Sequence, residues 1–265
     1  MLHEQDVLRC GLVSKYLLTR SGLSDSIRAG TFDLTTNMTP AEAFAALTRK
    51  PEPVPTVELT VPEGYRLTQI AERVAEELGI PPGTFISETE TGDYSLPPYL
   101  PKGAASLEGF LFPKTYEFVK SETTADTVID RLLEQFRKEV AGLPWDNGKA
   151  LGLTPYEVVI VASMIERETA VTTERPLIAA VIYNRLRDGM VLGIDATLQY
   201  VDPTPGDGYL TESDLLYDSP YNTRLHAGLP PTPIASPQLA SIRAALDPAA
   251  VDYLYFVACP RDGDG

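Results

Sequence analysis

The stretch "LTPYEVVIVASMIERETA", residues 153–170, decides how the chain is read. Thr154, Pro155 and Glu157 have the pattern of a helix capping box with proline at the first helical position. The residues after them are apolar on every side of the helix they would form. A helix with no polar face is a buried helix, so a core must be built around this one. It ends on two acids, Glu166 and Glu168, whose spacing of two sends them to nearly opposite sides of a helix. At most one of them can easily face a cleft.

Upstream, "TNMTPAEAFAALTRK" offers a second capping box at Thr39, Pro40 and Glu42, and the prolines of "PEPVP" (51–55) stop the helix it starts. "TVELTVPEGYRLTQIAERVAEELGI" predicts a strand with alternation at Val57, Leu59 and Val61. A Pro-Glu-Gly turn follows, then an amphipathic helix with Ile70, Val74 and Leu78 on one face. Between Pro81 and Gly109 the Pro, Gly, Ser and Thr content predicts loop or linker. Thr124 to Leu143 is an amphipathic helix with Val128, Leu132, Phe136 and Val140 inward.

Downstream of the buried helix, another starts near Thr173 and stops at Gly189. A short helix, "QLASIRAALDP", and a strand-like "DYLYFVA" complete the pattern. The fold class expected is α+β: a small N-terminal βα module within residues 1–100, followed by a helix-rich α+β domain over 101–265.

Composition narrows the function. The 265 residues and 43% hydrophobic content support one large domain or two small ones. With 37 acidic against 22 basic residues, the formal charge of −15 removes the footing for nonspecific nucleic-acid binding and for attraction to anionic lipid. Two cysteines, Cys10 and Cys259, and two histidines, His3 and His226, are too few for a zinc site or a Cys/His nucleophile pair, and no cofactor motif stands out. "VVIVA" is far shorter than the roughly 18 residues of a membrane span, and no export signal opens the chain.

Glu166 would emerge near the C-terminal end of the buried helix, where dipole and apolar surroundings both disfavour the carboxylate anion. An acid that keeps its proton near neutral pH suits protonation of a glycosidic oxygen. A solvated glutamate at a fraying helix end fits the same position. "EGFLFPKTYEF" sets Glu108 and Lys114 among Phe110, Phe112, Tyr116 and Phe118, which suits sugar rings or an amphipathic strand. Asn184 and Arg185 form an unusual mid-helix polar pair, and the prolines of "SPYNTRLHAGLPPTPIASP" give either a rigid connector or a shaped functional loop.

Taken in order, "VPEGYRLTQIAERVA", "LEGFLFPKTYEF", "VASMIERETA", "VIYNRLRDGMVLGIDATLQY" and "SPYNTRLHAGLPPTPIASPQLASIRAALDPAAVDYLYFVA" resemble the MltG (YceG-like) family of endolytic murein transglycosylases, from about Val7 to Ala258. The resemblance implies a LysM-like peptidoglycan-binding part in residues 1–100, around "LTVPEGYRLTQIAERVAEELGI", and a catalytic domain over 101–265. It implies cleavage of the β-1,4 bond between N-acetylmuramic acid and N-acetylglucosamine within glycan strands, leaving 1,6-anhydro ends, without a cofactor or metal. Glycan strands would be the partner, with cell-wall synthases beside them. The enzyme would act on the extracytoplasmic face of the bacterial plasma membrane, anchored by a helix that this chain does not carry.

The Ser-x-x-Glu-x-Glu motif maps onto "SMIERE" and implies Glu166 as the catalytic acid. Asn184, Asp195, Thr197, Tyr221, Asn222 and Thr223 would line the cleft, with Glu108 and Tyr116 across from them. The chain departs from the family pattern at Ala196, at Val201 and at "CPRDGDG", where a truncated C terminus is expected. Two rivals are a peptidoglycan-binding protein without activity and a hydrolase pairing Glu166 with Asp195.

Overall fold

Proline-led capping boxes open two helices, as the sequence predicts. At the first, Glu42 N donates to Thr39 Oγ1 at 3.3 Å while Thr39 N donates to Glu42 Oε2 at 2.8 Å, and α1 runs Pro40–Thr48. The computed structural model describes residues 34–48, 55–91, 94, 106–201 and 210–257. The readings placed on His3, Cys10, Cys259 and the terminal "CPRDGDG" lie outside them. The chain forms two units, Met1–Pro55, to which α1 belongs, and Thr56–Gly265.

The second unit contains, in order, β1 (Thr56–Thr60), α2 (Leu67–Leu78), α3 (Pro82–Thr91), β2 (Thr115–Val119), α4 (Ala125–Val140), α5 (Asp146–Ala150), α6 (Pro155–Glu168), α7 (Arg175–Arg187), α8 (Asp195–Val201), α9 (Glu212–Leu215) and α10 (Leu239–Leu246). β1 and β2 pair antiparallel with Leu59 opposite Tyr116, which makes this a helix-rich α+β fold with a two-stranded sheet. The sheet joins residues from both sides of position 100.

α6 is the buried helix. Thr154 caps it, exchanging hydrogen bonds with Glu157 at 3.3 and 2.7 Å, and every residue from Val158 to Ile165 is buried. Each Val, Ile or Met side chain sequestered there contributes about 1.5–3 kcal/mol. α5, α7, α8 and α10 all pack against it, so the helix has no free side until its last turn. Thr169 leaves the helix in extended conformation (φ −147°, ψ 140°).

Two expectations are corrected. The Pro81–Gly109 linker begins instead with α3, because Pro82 is compatible with the first turn of a helix and Phe85, fully buried, docks the helix into the core. "DYLYFVA" forms no strand over its described residues, 252–257. Its carbonyls are satisfied by side chains: Asn184 Nδ2 donates to Val251 O and Tyr253 O at 3.0 and 2.9 Å, and Arg185 Nε donates to Leu254 O at 2.7 Å.

Gly109 marks the closest approach between the segment before β2 and the proline-rich loop. Its φ is +84°, and an added Cβ would sit 2.5 Å from Pro233 Cβ. Gly109→Ala combines a disfavoured left-handed backbone with overpacking, together roughly 3 kcal/mol. The melting temperature should therefore fall by about 6–12 °C. Gly83→Ala, with open space around the new methyl, should leave it nearly unchanged.

Candidate active site

The site is built at the exit of α6, where three distant segments converge. Ser163, fully buried, donates from Oγ to Ile160 O at 2.7 Å and accepts from Ile234 N at 3.0 Å, pinning the proline-rich loop to the helix. That loop meets the Pro-Glu-Gly turn: Gly64 N donates to Ser236 O at 2.9 Å, and Ser236 N donates to Tyr65 O at 2.8 Å. Gly64, at φ +73°, lies against the motif, since a Cβ there would be 3.8 Å from Glu166 Cγ and 3.6 Å from Arg167 Cδ.

The two acids diverge as their spacing requires, and they meet different environments. The Glu166 side chain is only 6% exposed. Its Oε2 accepts from Gln238 N at 3.0 Å and Ser241 Oγ at 2.8 Å. Its Oε1 accepts from Gln238 Nε2 at 3.0 Å and lies 3.5 Å from Arg175 Nη2. Arg175 is itself buried, with Nε on Ser241 Oγ at 2.9 Å and Nη1 on Thr172 Oγ1 at 2.9 Å. In place of the apolar setting expected, Glu166 thus meets polar partners from α7 and α10.

Glu168 takes the other side. Burial and the nearby Asp195 carboxylate push its carboxyl up to about 7, against the opposing pull of Arg167 and Arg224. Asp195 and Arg224 are half-exposed; Arg224 Nε donates to Asp195 Oδ1 at 2.8 Å, and Nη2 binds the same oxygen. A proton-retaining acid flanked by an ion pair open to solvent is an arrangement suited to general acid chemistry.

Of the residues expected to line the cleft, Asp195 and Tyr221 are open to solvent at least in part, and the others are largely spent on architecture. Thr197 and Thr223 are buried and share a hydrogen bond at 2.9 Å, while Ile194 N donates to Thr223 Oγ1 at 3.0 Å. Asn222, with no exposure, donates to Leu215 O and Tyr217 O and accepts from Arg224 N at 3.0 Å, so it shapes the loop that presents Arg224. Tyr221 Oη bonds Thr232 Oγ1 at 2.8 Å and its ring lies 5.1 Å from that of Tyr200.

Asn184 clamps the segment 251–253, as described. Tyr116 is a core residue on β2 donating to Phe112 O at 2.6 Å. Glu108, 3% exposed, accepts from Leu67 N through both oxygens at 3.1 and 3.0 Å and from Tyr200 Oη at 3.2 Å. Burial pushes its carboxyl up to about 7 despite those donors.

Sequence reasoning missed Arg175, Gln238, Ser241, Tyr200 and Arg224. Arg175 carried a usable signal: a cation at the first position of an apolar helix opposes the dipole, and such a residue needs a tertiary anion. No signal of comparable strength marks the others.

A YceG-like family profile matches residues 1–265. An endolytic murein transglycosylase of Streptococcus pneumoniae R6 is 32% identical over 288 residues, covering 99% of this chain and 52% of the relative. One from Bacillus subtilis 168 is 32% identical over 270 residues, covering 97% of this chain and 74% of the relative. The chain spans about half the length of the Streptococcus pneumoniae relatives it matches. A crystal structure of a YceG-like protein from Listeria monocytogenes is similar with a TM-score of 0.69 and 27% identity, covering 97% of this chain and 88% of that one. A profile match over the whole length, with these relatives and this fold, means that the chain belongs to the YceG-like family.

Proposed function

We propose that the protein is an endolytic peptidoglycan lytic transglycosylase that cleaves the β-1,4 bond between N-acetylmuramic acid and N-acetylglucosamine within a strand and leaves a 1,6-anhydro end. The observation that carries this reading is the place of Glu166, at the exit of α6 where the proline-rich loop and the Pro-Glu-Gly turn meet the Ser-x-x-Glu-x-Glu motif, in a chain whose relatives are named endolytic murein transglycosylases. Its carboxyl is held in place by Gln238, Ser241 and Arg175, and Glu168 has a supporting role.

In the reaction, the Glu166 carboxyl protonates the glycosidic oxygen as its bond to the muramyl C1 breaks. The C6 hydroxyl of the same sugar attacks C1, and the Glu166 carboxylate takes the proton that hydroxyl releases. One proton leaves and one returns, and no water is consumed. A single acid/base therefore serves both steps, where ordinary glycosidases need two carboxylates.

Residues 1–100 supply, in this reading, a LysM-like glycan-binding module whose strand–turn–helix is β1 to α2, and 101–265 carry catalysis. Since peptidoglycan lies outside the cytoplasm, so does the site of action. Among the described residues no helix is long and apolar enough to cross a membrane.

Incubation with purified peptidoglycan followed by mass spectrometry should give anhydro-muramyl ends; reducing ends would establish a hydrolase, and retention without cleavage a binding protein. Glu166→Gln should abolish cleavage while peptidoglycan binding is kept, with the melting temperature measured alongside to show that the fold survives, whereas Glu168→Gln should do much less. Substantial activity in Glu166→Gln would overturn the assignment.

A further inference from the structure

Arg175, the first residue of α7, is 2% exposed, and Ser241, inside α10, is fully buried. Arg175 Nε donates to Ser241 Oγ and Nη1 donates to Thr172 Oγ1, both at 2.9 Å, so two bonds fix the plane of the guanidinium. Its Nη2 stands 3.5 Å from Glu166 Oε1. That is well beyond the roughly 2.7–2.9 Å of a charge-assisted hydrogen bond. The hold of Arg175 on Glu166 therefore runs through Ser241.

A serine hydroxyl has one proton to give and two lone pairs to receive with, and a guanidinium can only donate. With Arg175 Nε on one lone pair, the Ser241 proton must point away from the guanidinium. One outlet for a helical serine is the carbonyl three residues back, and Ser163, equally buried in α6, sends its proton there. For Ser241 that carbonyl is Gln238 O, which already accepts from Ser241 N at 3.1 Å and Ile242 N at 3.3 Å. The Ser241 hydroxyl donates instead to Glu166 Oε2 at 2.8 Å.

The two oxygens of Glu166 are thereby made unequal. Oε2 accepts from Gln238 N at 3.0 Å and from Ser241 Oγ, which occupies both of its acceptor positions. Among the described residues Oε1 has one close donor, Gln238 Nε2 at 3.0 Å, on a half-buried side chain. We propose that Arg175 is a positioning residue that acts through Ser241: it turns the Ser241 proton onto Oε2 and so keeps the catalytic proton of Glu166 on Oε1. This rests on the reading of Glu166 as the acid/base. Arg175 transfers no proton in the scheme and is not a catalytic residue. Without the Ser241 proton, Oε2 becomes a second resting place for the proton of the acid, on the side closed by the backbone of Gln238.

The test uses the whole chain in the variants Ser241→Ala, Arg175→Met, Arg175→Lys and the double Ser241→Ala/Arg175→Met, with Glu166→Gln as reference. Initial rates of anhydro-muramyl end formation are measured against peptidoglycan concentration and expressed per folded molecule from the melting curve. Ser241→Ala should lower kcat about tenfold with KM within about twofold, as expected for a misplaced reacting group. Arg175→Met should lower kcat to the same extent. Arg175→Lys, whose ammonium can still donate to Ser241, should recover part of that loss. The double variant should be no worse than the poorer single, because both changes break one linkage. Ser241→Ala removes a single oxygen, so the test stands even where Arg175→Met does not fold.

A wild-type kcat in Ser241→Ala would overturn the proposal. So would unchanged kcat in folded Arg175→Met, no recovery in Arg175→Lys, or single effects that multiply in the double variant. Glu166→Gln tells the two readings apart. If it is inactive, any of those failures belongs to the positioning role alone; if it cleaves at the wild-type rate, the reading of Glu166 as acid/base has failed and takes the proposal with it.

Discussion

The carboxylate of Glu166 joins three helices at a buried point, and the site depends on that junction. It leaves α6, receives two donors from Gln238 at the cap of α10 and one from Ser241 inside it, and faces Arg175 at the start of α7. An ion pair taken out of water gains little net stability, but breaking one side of it is costly because the other charge is left stranded. Its value lies in direction. α6 has no polar face to orient it, and apolar packing alone tolerates small rotations about the helix axis. The junction removes that freedom at the last turn, where Glu166 itself stands.

Two glutamates two residues apart thus meet different surroundings. One is held by partners from α7 and α10; burial and a carboxylate neighbour push the carboxyl of the other up to about 7. The separation follows from helix geometry, since residues at spacing two cannot share an environment. It also explains why a motif containing both acids carries more information about a site than either acid does alone.

Much of this was legible in the sequence, and the reasons are local. The capping boxes at Thr39 and Thr154, the all-round apolar α6, the inward stripe of α4 and the stop at Gly189 follow from short-range rules and are present in the structure. The helix α3 was hidden because Pro, Gly, Ser and Thr read as linker, and only the burial of Phe85 reverses that. The strand-like ending was misread because extended backbone was taken to imply a partner strand, whereas Asn184 and Arg185 side chains satisfy its carbonyls. What surrounds Glu166 was beyond local rules altogether. It depends on Gln238, Ser241 and Arg175, whose approach to Glu166 is a property of the assembled fold.

Arg66, at the start of α2, donates to the carbonyls of Gln199 and Tyr200 in α8, and this has a consequence for how the protein acquires its site. Arg66 and Gln199 are 133 residues apart in the chain, and the Pro-Glu-Gly turn finds Ser236 across a still longer span. Contacts of such range are entropically expensive to close and form after local structure is in place. The helices can therefore assemble early, while the cleft is completed only when the first strand–turn–helix of the second unit docks against segments synthesised long after it. A chain still emerging from the ribosome would hold its α2 without these partners, and the assembled site would arrive as one of the last events of folding.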